Sequence, residues 1–178
     1  MKIETEVKYK INNSEKIKKE LINLGFSYLK KKYQEDYYYS PPHKSFAGTR
    51  KYYLRLRKNS GKSVFAYHVV QDNLQTKEQE VEVDDFDQMN IILKMLDFKI
   101  DCIVKKNRSV FSKNDVEVVI DHVEDLGSFI EIEYSGEINK KIIEDMDSLA
   151  AALNLKKENL VAGLGYPDLL INKKNDKN

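Results

Sequence analysis

The chain has 178 residues, a third of them charged, yet 30 Lys and Arg set against 29 Asp and Glu leave a formal net charge of only +1. That length suits a single domain with a substantial core, and the near balance of charge excludes a dedicated nucleic-acid binder, which carries a marked basic excess. The lone Cys102 has no intrachain disulfide partner and no zinc-type spacing around it, no apolar run approaches the ~20 residues that cross a bilayer, and the charged N-terminal residues argue against a signal peptide, so a reducing cytoplasm is the expected setting without a membrane.

In chain order, "MKIETEVKYKI" alternates: Glu4, Glu6 and Lys8 share one face of a strand, and Ile3, Thr5, Val7 and Tyr9 share the other. A helix follows, capped near Asn13 or Ser14, with Ile17, Leu21 and Leu24 at helical spacing and Gly25 as its stop. "YLKKKYQEDYYYS" predicts a long strand ended by Pro41 and Pro42, and "HKSFAGTR" a loop in which His43 is solvated. Residues 51–71 predict a hairpin turning at Asn59-Ser60-Gly61. "TKEQEVEVDD" alternates as another strand, and 85–98 predict a short helix with Met89, Ile92, Leu93 and Leu96 on one side. Three strands come next, "DCIVKKNRSVFS", "DVEVVIDHV" and "SFIEIEYSG", with turns at Lys113-Asn114-Asp115 and Leu126-Gly127-Ser128. A helix through 139–155 and a segment ending in "GYPDLLI" complete a domain over 1–171, leaving 172–178 as a solvated, disordered tail. Nothing in composition marks a linker between two domains.

Eight strands joined mostly by short turns predict an α+β fold, an antiparallel barrel or tunnel flanked by helices. The opening alternation recurs around it. Arg55 and Arg57 share a face, as do Glu78, Glu80 and Glu82, Lys106 and Arg108, and Glu131 and Glu133. Any one of these suits a strand with its charged face in water. Five such strands, some basic and some acidic, suit a wide lumen lined by charge and wrapped in apolar surface. Arginine forks and lysine point charges match phosphate oxygens. Carboxylates at Glu4, Glu6, Asp121, Glu131 and Glu133 match Mg²⁺ or Mn²⁺, which bridge protein oxygens to polyphosphates. Nothing resembles GxxxxGK[ST], so phosphate recognition falls to side chains.

These segments, in this order, resemble a known family. "ETEVK" looks like the ExExK signature of the CYTH superfamily of triphosphate tunnel enzymes. "EDYYY", "YLRLR", "KNRSVF", "IDHVEDLGSFIEIE" and "GYPDLL" look like its later blocks, most nearly those of class IV adenylyl cyclase proteins. The resemblance implies an eight-stranded tunnel that acts on triphosphates (ATP, thiamine triphosphate or tripolyphosphate) with a divalent metal. It implies Glu4, Glu6, Asp121 and Glu131 at the metal, and Lys8, Arg55, Arg57, His68, Lys106 and Arg108 on the phosphates. Lys8, Arg57 and Lys106 are the expected catalytic cations, with Asp36, Tyr38, Glu78, Glu80, Glu82 and Glu133 lining the rest. His68 stands where the family usually has Lys, and a neutral imidazole supplies less charge there. His122, on the opposite strand face, is expected to pack outside the lumen. The activity the resemblance implies first is cyclisation of ATP to cyclic AMP and pyrophosphate, with triphosphate hydrolysis as the alternative and binding without turnover as a further one. Homodimerisation is compatible with the resemblance, although no sequence patch points to it.

Overall fold

The computed structural model describes residues 1–42, 52–59 and 61–176. The loop at 43–50 with His43, and Lys51 and Ser60 of the expected hairpin, lie outside the described residues. Among those described are β1 (Lys2–Ile11), α1 (Ser14–Asn23), β2 (Ser27–Ser40), β3 (Tyr52–Lys58), β4 (Ser63–Val70) and β5 (Gln75–Val83). After these come α2 (Phe86–Met95), β6 (Lys99–Lys113), β7 (Val116–Val123), β8 (Gly127–Ser135), α3 (Lys140–Ala152) and α4 (Tyr166–Asn175). The strands close into a ring in the order β1-β5-β4-β3-β2-β6-β7-β8. Every neighbouring pair is antiparallel. β1 seals it by pairing with β5 at Lys2–Thr5 and with β8 at Glu4–Ile11.

The local chemistry explains the elements. Asn13 caps α1 by accepting from the Lys16 N–H, and Gly25 takes φ +84°, which only glycine adopts without strain, so that the Phe26 N–H reaches back to the Leu21 carbonyl. Asp85 caps α2 and Asn139 caps α3 in the same way. The apolar faces of the strands point outward and the helices cover them. α1 and α3 bring Ile17, Leu21, Met146, Ala150 and Leu153 onto Tyr9, Phe111, Val118, Ile120, Ile130 and Ile132. Phe86 and Leu93 of α2 pack on Tyr39 and Leu56. α4 differs: Tyr166 and Leu170 pack on Tyr38, Val104, Val123 and Phe129, which share the inward strand phase of Asp36, Lys106, Asp121 and Glu131. The main hydrophobic core therefore lies between the ring and α1, α2 and α3, with a smaller apolar cluster where α4 meets the inner face. The charged faces look inward.

Two expectations are corrected here. Only Phe86 and Leu93 of α2 are buried, with Met89 packed beside them, while Ile92 and Leu96 are half-exposed, because this short helix touches the ring along a narrow 86/89/93 line. Residues 172–175, expected in a disordered tail, continue α4, where Lys173 and Lys174 occupy the last turn and complement its dipole.

Candidate triphosphate tunnel

The inward faces enclose a cavity of about 240 Å³. Within it nearly every cation is met by a carboxylate. Lys8 Nζ lies 3.1 Å from Glu131 Oε1 and 3.4 Å from Glu6 Oε1, and 4.6 Å over the Tyr166 ring. Burial alone would lower its pKa, but the two carboxylates outweigh burial and hold the ammonium charged far above the usual range. Arg57 grips Asp36 with two parallel bonds of 2.6 and 2.9 Å. Asp36 is fully buried, yet Arg57 and Lys106 keep it ionised well below the usual carboxylate range against the desolvation penalty. Arg108 donates to Asp121 and Glu131 and stands 3.6 Å from Glu133. Arg55 Nη2 donates to Glu78 and Glu80 at 2.8 Å each, while its Nε is buried without a partner.

Lys106 differs from the others. Its ammonium is buried 3.3 Å from Asp36 and 3.9 Å from Asp121, and 5.1 Å from the Tyr166 ring centroid. Both carboxylates already have an arginine, so burial and the nearby Arg108 prevail and push its pKa down to about 8.

Glu6, Glu131 and Glu133 can bring one oxygen each within 4.8 Å of one another. They sit side by side because Glu6 pairs with Glu133, and Lys8 with Glu131, across β1 and β8. Lys8 and Arg108 offset the burial of Glu131 and hold its pKa low. Burial raises the pKa of Glu6 despite Lys8, and burial raises that of Glu133 well above its ordinary value despite Arg108, with Glu131 adding repulsion to both. Three carboxylates converging at this distance form an oxygen donor set that fits a hard divalent cation such as Mg²⁺ or Mn²⁺, whose charge would offset the burial that disfavours their ionisation.

The family profile of the CYTH domain matches residues 2–164. The chain belongs to the CYTH domain family. A Methanocaldococcus jannaschii protein provisionally named an adenylate cyclase is 37% identical over 165 residues, spanning 89% of this chain and 94% of its own length. The PH1012 protein of Pyrococcus horikoshii shares the fold with a TM-score of 0.83 at 31% identity, covering 93% of this chain and 98% of that one. A Hippeastrum protein, provisionally named an adenylyl cyclase and described as having a dominant triphosphatase activity, superposes with a TM-score of 0.67 over 98% of this chain and 96% of that one. At 14% identity that likeness concerns the fold.

The CYTH tunnel gathers most of the residues singled out in the sequence. Glu4, Glu6, Lys8, Tyr38, Arg55, Arg57, His68, Glu78, Glu80, Lys106, Arg108, Glu131 and Glu133 all line its cavity. Asp36 and Asp121 do not reach the cavity surface. Each lies fully buried behind the arginine it grips, and Asp121 also accepts from the Tyr166 hydroxyl. Asp121 thus stands behind the carboxylate cluster, where Glu133 takes the place expected for it, and Glu4 lies toward a more open end with Lys2 at 2.7 Å. Glu82, expected in the lining, is exposed and pairs with Lys62, because β5 has passed beyond the rim by that position.

His68 is buried, with Nε2 2.8 Å from Glu78 Oε1 off the line of a well-directed hydrogen bond, and with the Tyr53 ring at 5.8 Å. Burial and Arg55 lower its pKa although Glu78 opposes them, so the imidazole is neutral near pH 7. His122 is exposed outside the tunnel beside Ser128. The sequence reading passed over Lys32, Tyr53, Thr76, Glu117, Gly165, Tyr166 and Pro167, which also line the cavity. Lys32 and Tyr53 were within reach of strand phase, since each falls two residues or a multiple of two from an inward neighbour.

Proposed function

We propose that this CYTH protein is a divalent-cation-dependent enzyme that cleaves the phosphate chain of a triphosphate such as ATP or tripolyphosphate. The observation that carries this reading is the juxtaposition, inside one small lumen, of five buried or nearly buried cations with a three-carboxylate cluster. Cations alone would suit any anion, and carboxylates alone any metal. Together they suit a polyphosphate bridged by a metal.

Glu6, Glu131 and Glu133 would hold the divalent cation, which when bound neutralises charge developing on phosphoryl oxygens. Lys8, Arg57, Lys106 and Arg108 supply fixed positive charge to the same oxygens, and their buried carboxylate partners lock their rotamers, so little reorganisation accompanies reaction. Arg55 lines the same cavity with its guanidinium held by Glu78 and Glu80, and adds a further fixed charge. Tyr166, fixed by its bond to Asp121, floors the site beneath Lys8 and Lys106 and keeps bulk water from their ammonium groups.

The enclosed volume of about 240 Å³ falls below the usual range for whole small-molecule sites, about 300–1,000 Å³. It admits a phosphate chain and an attacking water, with any nucleoside projecting from an end, and this favours hydrolysis. Cyclisation of ATP is the second reading, favoured by the naming of the 37% identical Methanocaldococcus jannaschii protein. In that reading the 3′-hydroxyl attacks the α-phosphorus and pyrophosphate leaves. Incubation with Mg²⁺ or Mn²⁺ and, separately, ATP and tripolyphosphate, followed by phosphorus NMR, tests both. Orthophosphate supports hydrolysis, and cyclic AMP with pyrophosphate supports cyclisation. Intact substrates in every metal condition would refute an enzymatic role.

A further inference from the structure

Lys32 breaks the pairing rule of the tunnel. It follows the inward phase of β2, two residues before Gln34 and four before Asp36, and it lines the cavity. Lys8, Arg55, Arg57, Lys106 and Arg108 each have a carboxylate within 4.0 Å. Among the described residues Lys32 has none.

Its surroundings are cationic instead. Lys32 pairs in register with Arg108 on β6, and besides burial it is Arg108, Arg57 and Lys30 that disfavour its charge, with Glu117 opposing them. A long flexible side chain normally turns away from such repulsion into water. Lys30 and Lys31 are exposed, whereas Lys32 is half-buried.

A simpler account of the three lysines exists. Among the described residues β2 has register partners on β3 only from Glu35 to Tyr39, which leaves 27–34 as an open edge there, and lysines on open edges discourage pairing with other chains. That explains the two exposed lysines. It does not explain a third placed in the lumen against two arginines.

We propose that Lys32, with Arg57 and Arg108, forms an anion subsite at one mouth of the tunnel, which takes the outermost phosphate of a triphosphate chain and selects three phosphates over two. Arg108 joins the parts: it reaches Glu131 and Glu133 of the carboxylate cluster on one side and pairs with Lys32 on the other. A phosphate beside the cluster meets Arg108 first, and the next phosphate toward the mouth meets Lys32. A pyrophosphate seated at the cluster stops short of it. The inference rests on the proposed triphosphate chemistry and assigns specificity within it.

Calorimetric titration of tripolyphosphate and pyrophosphate in metal-free, chelated buffer, where the divalent-cation-dependent cleavage does not proceed, into wild type, Lys32→Met, Lys32→Arg and Lys31→Met, tests this. Lys32→Met should weaken tripolyphosphate by at least about tenfold, the scale of one charge-assisted contact, and pyrophosphate by less than about twofold. Lys32→Arg should retain the discrimination. Lys31→Met, with the same change in net charge on the opposite face, should leave both ligands unaffected. Lys32→Met should melt no lower than wild type, since it loses no ion pair and sheds a repulsive charge. Equal weakening of both polyphosphates, an equal effect from Lys31→Met, or a markedly lower melting temperature would overturn the assignment. A wild-type protein that binds neither polyphosphate would instead refute the triphosphate reading itself.

Discussion

Lys106 makes the tunnel's affinity for polyanions depend on pH in a calculable way. Burial and Arg108 bring its pKa to about 8 in the ligand-free protein. A lysine with a lowered pKa is charged below that value and neutral above it. A bound polyphosphate favours the charged form and restores the pKa toward the ordinary value of about 10.4. At pH 7 about nine in ten Lys106 side chains are already charged, so binding takes up little proton. At pH 9 about one in ten is charged, and the ligand must bring in nearly a whole proton, which weakens binding by about tenfold, or about 1.4 kcal/mol. Because the ligand ionises too, the quantity to measure is the ratio of wild-type to Lys106→Met affinities. Tripolyphosphate titrations between pH 7 and 9 should show that ratio shrinking about tenfold. Titrations at pH 9 in two buffers of different ionisation enthalpy should report uptake of close to one proton by the wild type beyond that of the variant. A flat ratio with no extra proton uptake would refute the argument, leaving Lys106 either charged throughout or out of the ligand's reach.

Three further outcomes follow from the pairings. Glu6→Gln and Glu133→Gln should each raise the Mg²⁺ concentration for half-maximal turnover by at least about tenfold, while Glu4→Gln, outside the cluster, changes it little; equal effects from all three would dissolve the cluster as a metal site. Arg57→Ala should weaken tripolyphosphate by about 1.5–3 kcal/mol in calorimetry, and Arg57→Lys should recover part of it. Removing Arg57 also strands buried Asp36 with only Lys106, so the alanine variant should unfold about 3 kcal/mol more easily in denaturant titration, whereas Lys58→Ala on the outer face should change neither quantity. His68→Lys should gain charge beside Glu78, bind tripolyphosphate more tightly above pH 7 and keep its melting temperature; a destabilised variant with unchanged binding would remove His68 from the site.

Strand phase carried most of the site because a ring with an outward apolar face obeys the same two-residue period on every strand. Glu78, Glu80 and Glu82 show where the rule stops. They are equivalent in sequence, yet the last has left the rim, and period alone does not say where along a strand the lumen ends. Asp36 and Asp121 were placed on the correct face but at the wrong depth, since the arginines opposite them in register, Arg57 and Arg108, are long enough to cover them. Lys32 lay hidden in a run of three lysines, which looks like solvated edge until the phase is counted back from Asp36. Tyr166 had no such signal, because it reaches the tunnel from a helix outside the strand alternation. α2 misled for a related reason: helical spacing predicts an apolar stripe, but the width actually covered depends on the surface beneath.

The closure of the ring by β1 has a consequence for how the molecule comes into being. β1 is the first strand in chain order, and most of its partners lie on β8, the last. Until β8 has been synthesised, Lys8 has no Glu131, Glu6 has no Glu133, and the charged interior does not exist in part. Contacts so distant along the chain form slowly, since a long loop must close before they contribute. While β1 waits, a nascent chain presents unpaired strand edges, and a chaperone that shields β1 would be expected to raise the yield of folded protein. Under the proposed function, turnover is also a sensor of ring closure, and the appearance of activity during refolding becomes a direct clock for the final strand-pairing step.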